Sequence, residues 1–164
     1  MVKTKFMALS GKLTYLARRT LEGALGGLFV FAGLQKHFRP QEFADAVLAY
    51  QLLPDFLVGL VAAGLPWVEL AAGTFLILGI KRRSCLILLG GMLATFILAL
   101  FITWARGLKI DCGCGLFLLR EVGPGAILQN AAFLLLIAAL YWWELLGAAP
   151  PAQLRHSHKP PAST

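Results

Sequence analysis

The twenty residues Cys85–Trp104 contain no charge at all. Coiled as a helix rising 1.5 Å per residue, a stretch of about 20 residues matches the roughly 30 Å hydrocarbon thickness of a bilayer. Phe56–Ile80 is as long and carries Glu69 as its only charge, and Gly125–Trp143 carries none. Leu21–Leu34 is apolar apart from Glu22. It is short for a span, but Arg18 and Arg19 can extend it by snorkelling to the interface. A basic start before an apolar run also resembles a signal peptide. However, Gln35-Lys36-His37 follows where a small-residue cleavage site would stand, so an uncleaved first span is expected.

These blocks exclude an ordinary soluble domain. Only 14% of the residues are charged, against about 25% in an average soluble domain. The net charge of +7 is therefore no nucleic-acid footprint. Basic residues that flank apolar spans set topology and contact anionic lipid.

Between the first two spans, Phe43, Ala46, Val47, Tyr50 and Leu53 recur at helical spacing, with Gln41, Glu42 and Asp45 on the other face. Pro40 suits a first helical turn and Pro54 a boundary. This predicts a short amphipathic helix lying in the membrane interface. The expected fold is all-α, an integral membrane four-helix bundle with this interfacial helix. Residues 1–17 form a basic N-terminal segment, 18–146 the four-span domain and 147–164 a disordered tail rich in Pro, Ala and Ser.

Orientation follows from charge. With the N-terminus inside, ten of the fifteen Lys and Arg residues fall on the cytoplasmic side, as the positive-inside rule prefers. Both termini are then cytoplasmic. The loop holding Asp111-Cys112-Gly113-Cys114 faces the periplasm or exterior, where disulfides persist.

Cys112 and Cys114 are the candidate catalytic pair. Gly113 between them lets the backbone turn tightly, and a short strained disulfide is the exchange-active kind. A structural bridge across so small a loop would remove little chain entropy. Two thiolates also suit copper(I) or zinc, but zinc wants about four ligands, and only His37 stands ready on the same side; no metal set is assigned. Asp111 places negative charge beside Cys112, which raises rather than lowers a thiol pKa. Cys85, at the far end of its span, reads as a packing residue.

Glu69, near midspan, must face the interior, be protonated or be paired. It is either a proton or cofactor contact or a packing hydrogen bond. Glu22 has Arg18 four residues before it as a local partner. Gly23 and Gly27 read as a close-packing pair, as do Gly90 and Gly91. Trp67, Trp104, Tyr141, Trp142 and Trp143 read as interfacial anchors. A quinone stacked on such rings is the one cofactor considered. His156 and His158 read as solvated tail.

Lys36, Pro40-x-x-Phe43-Ala44, Tyr50-Gln51-Leu52-Leu53-Pro54, Pro66-Trp67-Val68-Glu69 and Arg106-Gly107-Leu108 running into Asp111-Cys112-Gly113-Cys114 together resemble the MauE proteins of methylamine utilisation, within the wider DoxX-like membrane family. The likeness covers about residues 18–143. It implies a four-helix inner-membrane protein that supports maturation of a disulfide-rich exported client, such as the small subunit of methylamine dehydrogenase, together with a thioredoxin-like exported partner. Thiol–disulfide oxidoreductase chemistry is the expected activity. The alternative is a non-enzymatic metal-handling or assembly subunit of a membrane complex.

Overall fold

The structure is a computed structural model that describes the backbone of residues 2–113 and 121–147 and the side chains of 13–113 and 121–146. Five helices follow one another: α1 (Val2–Phe38), α2 (Pro40–Ala49), α3 (Asp55–Leu78), α4 (Arg82–Ala105) and α5 (Pro124–Gly147). Among the described residues, α3, α4 and α5 are long and apolar enough to cross a membrane. No more than a third of each apolar stretch is buried inside the protein (33, 28 and 22%). Most of that apolar surface is therefore left for lipid to cover. The helix α1 runs unbroken across the expected boundary at residue 17. His156, His158 and the rest of the tail from 148 lie outside the described residues, as does Cys114.

The helix ends follow from local chemistry. Pro40 stands in the first turn of α2, where its missing N–H leaves no intrahelical bond unmade. Gly79, at φ 75°, closes α3; Ile80 N–H bonds back to Phe75 O at 2.9 Å, the left-handed cap that glycine favours. The interfacial helix expected over residues 40–53 is shorter than its pattern. It stops at Ala49, and Gln51 turns at φ 52°.

Helices α1 and α3 pack closely and antiparallel through glycines. A Cβ added to Gly26 would lie 2.7 Å from Gly73 O, and one added to Gly73 would lie 2.7 Å from Gly26 O. Gly33 meets Pro66 O in the same way at 2.9 Å. Small residues allow this backbone approach. The expected pair is the wrong one: Gly23 and Gly27 have nothing within 4 Å, and of the later pair only Gly90 touches a neighbour, Ile137, at 3.3 Å. Gly26→Val should therefore force α1 off α3, with an overpacking cost of about 1–3 kcal/mol. Gly27→Val at the neighbouring open position should not. Thermal unfolding of the two variants in detergent checks this, and equal midpoints would refute the contact.

At one end of the bundle, charge ties the long helices together. Glu22 is fully buried and accepts from Arg18 Nε at 2.8 Å and Arg19 Nη1 at 2.9 Å. Arg82 Nε approaches the same carboxylate at 3.6 Å. Arg18 also pairs with Glu144 on α5, and Arg19 donates to Ile77 O on α3 at 3.2 Å. The local Arg18–Glu22 pair expected from spacing is thus one edge of a network joining α1, α3, α4 and α5. Cys85 packs nearby as a buried free thiol among Leu76, Leu86 and Leu89.

Candidate functional site

The opposite end holds α2, the start of α3 and residues 106–113 and 121–123, which follow α4 and precede α5. The α1–α3 glycine contact brings Gly33 against Glu69: a Cβ added to Gly33 would lie 3.2 Å from Glu69 Cβ. Helical side chains lean toward the helix N-terminus, so Lys36 reaches back to this level. Its Nζ donates to both Glu69 oxygens at 2.8 Å. Both side chains are nearly sealed from solvent, at 7 and 9% exposure. The Phe43 ring of α2 lies over the ammonium, with its centroid 5.4 Å from Nζ. A pair so deep is held by strong low-dielectric attraction against a large desolvation cost. Glu69 is thus paired, one of the outcomes its midspan position demands. The identity of the partner is new. Lys36 reads in sequence as a flanking charge, yet a carboxylate inside a span requires a cation or a proton, and Lys36 ends the adjacent helix.

The cysteine loop is held from below. Gly107, at φ 72°, ends α4, and Leu108 N–H returns to Thr103 O at 3.3 Å. The Arg106 guanidinium grips the α2–α3 turn through Tyr50 O at 3.3 Å and Gln51 Oε1 at 3.3 Å. Val122 N–H bonds to Ile110 O at 2.9 Å and closes the loop's base. Gly113 turns at φ 63° and donates its N–H to Asp111 Oδ1 at 3.2 Å. A Cβ there would press within 3.0 Å of Ala46, so the turn uses both freedoms of glycine: the left-handed backbone and the close approach.

Cys112 is disulfide-bonded and only 1% exposed. The Tyr50 hydroxyl donates to its carbonyl at 2.7 Å. Burial, and then the negative charge of Asp111, push the Tyr50 phenol above its ordinary value of 10. It stays protonated, and keeps donating, through the whole physiological range. Tyr50→Phe removes the buried hydroxyl that donates to the Cys112 carbonyl, at about 1–3 kcal/mol. Reduction of the Cys112 disulfide by a phosphine should then run about tenfold faster or more; an unchanged rate would show that the hydroxyl does not hold the loop.

Between these two features lies a cavity of about 650 Å³. Lys36, Glu69 and Phe43 line one part of it and Tyr50, Cys112 and Gly113 another; the remaining wall is mostly apolar. The separate sequence pieces around Lys36, Phe43, Tyr50, Glu69 and Asp111–Gly113 therefore converge on one site, with Arg106 bracing it from outside. Among the described residues, no group of three or more His, Cys, Asp and Glu side chains could hold a metal ion. His37 instead meets Trp67 edge-on, with centroids 5.0 Å apart. None of the tryptophans lines the cavity.

The class these features define is a small helical membrane protein with a disulfide and a buried ion pair on one apolar cavity. The family described as "Methylamine utilisation protein MauE" matches residues 13–143. The chain is 32% identical over 132 residues to the methylamine utilization protein MauE of Methylorubrum extorquens, covering 76% of this chain and 67% of that one. It is 36% identical over 88 residues to the MauE of Paracoccus denitrificans, covering 53 and 47%. It is 34% identical over 84 residues to that of Methylophilus methylotrophus, covering 51 and 44%. The matches thus span two thirds of the first relative's length and about half of the other two. No solved structure matches. This chain belongs to the MauE family.

Proposed function

We propose that this protein performs thiol–disulfide exchange for the maturation of an exported protein of methylamine utilisation, through Cys112 and Cys114. The observation that carries the reading is the seat of Cys112: disulfide-bonded, buried, and held by Tyr50 against a cavity in a helical membrane protein. A bridge serving stability alone needs no such cavity beside it. In this reading α1 supplies a fourth span and the termini are cytoplasmic. The Cys-Gly-Cys loop is periplasmic, facing a thioredoxin-like partner and a disulfide-containing client such as a methylamine dehydrogenase subunit.

The two sulfurs divide the work. Burial of Cys112 suits it to be the sulfur that leaves, so Cys114 takes the partner's thiolate. That thiolate attacks Cys114, Cys112 leaves, and a mixed disulfide forms. A second partner thiol then releases Cys114. The partner ends oxidised by two electrons, and the pair ends as two thiols.

The test uses purified protein in nanodiscs mixed with a reduced peptide carrying two cysteines. Each chain should oxidise one equivalent of peptide and gain two alkylatable thiols, well faster than glutathione disulfide at equal concentration. A rate no greater than that of glutathione disulfide would refute exchange.

A further inference from the structure

We propose that the cavity binds the ring of a lipid-soluble quinone, which takes the electron pair of the reduced cysteines. This deepens the exchange reading and rests on it: after oxidising a partner, the pair must itself be reoxidised.

Three observations select this occupant. The first is the route in. Leu28 on α1 and Leu98 on α4 line the cavity, yet are 37 and 58% exposed on apolar helix surfaces. The cavity thus opens where lipid lies, and its roughly 650 Å³ falls within the 300–1,000 Å³ typical of small-molecule sites. The second is the position of Cys112. It lines the cavity and is closed to solvent, so an oxidant that meets it comes through the apolar space. The third is Lys36. An ammonium has three N–H donors; two go to Glu69, and one remains on a side chain that lines the cavity. A lipid acyl chain offers that donor no acceptor. A quinone carbonyl does, and the contact strengthens as the oxygen gains negative charge during reduction. Phe43 and Phe96 are also in the wall, apolar surfaces suited to a flat ring.

The step balances. Two S–H bonds break and one S–S bond forms, releasing two electrons and two protons. The quinone's two carbonyl oxygens accept both pairs and become hydroxyls. Lys36 orients the ring and stabilises the oxygen that charges first. The site differs from the exposed interfacial rings considered from sequence.

The test uses the full chain in nanodiscs with decylubiquinone as probe. Saturable binding should appear in the wild type and persist when Cys112 and Cys114 are both serine, because the sulfurs are reactants rather than anchors. Ala99→Phe, which fills the cavity and removes no polar group, should weaken binding at least tenfold. So should the paired change Lys36→Met with Glu69→Met, which leaves no buried charge unpaired. Pre-reduced wild type should form one equivalent of quinol per chain without oxygen. Absent binding, or binding unchanged in both cavity variants, overturns the site. Peptide exchange without quinol formation overturns the acceptor role alone, and loss of both reactions overturns the exchange reading with it.

Discussion

Removing one member of the Lys36–Glu69 pair will destabilise the protein more than removing both. Lys36→Met leaves the Glu69 carboxylate in a site where both side chains are under 10% exposed, with its two accepted bonds gone. Breaking a buried pair from one side costs about 3–5 kcal/mol. For a chain of this size that is a fall of roughly 6–20 °C in unfolding midpoint. Glu69→Met strands the ammonium in the same site; either group can neutralise itself by gaining or losing a proton when left unpaired, so the two single losses should be of similar size. The double change to methionine replaces the pair by apolar volume, which is often neutral or stabilising. Thermal unfolding in one detergent orders the four proteins. If the double variant is as unstable as Lys36→Met, the pair is a packing element that apolar side chains cannot replace. If it is stable but inactive in client maturation, the pair is kept for function.

The second large effect is at the sulfurs. Cys112→Ser and Cys114→Ser should each abolish client maturation, since exchange needs one sulfur to form the mixed disulfide and another to resolve it. Neither change should prevent folding. The α1–α3 glycine contact and the arginine network about Glu22 lie elsewhere, and a disulfide closing a short loop adds little stability. The readout is methylamine-dependent growth of a host whose own MauE is deleted, with membrane accumulation of each variant as control. Normal growth with either serine variant would remove thiol exchange from the account.

Much of this architecture is legible in the amino-acid sequence, because length and charge decide it. The stretch read as Phe56–Ile80 is observed as Asp55–Leu78, and Cys85–Trp104 as Arg82–Ala105. Rotation about a helix axis is not legible in the same way. Gly23 and Gly27 have a close-packing spacing, yet Gly26 and Gly33 face α3, because that face is chosen by the fit of two surfaces. Glu69 announces its need for a partner. Lys36 hides as that partner because a basic residue at a span end has a sufficient reason to be there. The burial of Cys112 is hidden too. It depends on Tyr50 Oη and on the grip of Arg106 on the α2–α3 turn, contacts between segments more than fifty residues apart.

Trapping the mixed disulfide tests the central claim most directly. With Cys112 changed to serine, the Cys114 thiolate attacks the disulfide of an oxidised partner and one partner sulfur leaves; the resulting adduct has no Cys112 thiol to displace it. Cells expressing that variant, quenched in acid and alkylated, should accumulate a reducible adduct with an exported thiol protein, identifiable by mass spectrometry. Cys114→Ser should give little, because the buried sulfur is out of reach. No adduct from either variant, together with normal client maturation by the double serine protein, would contradict the account.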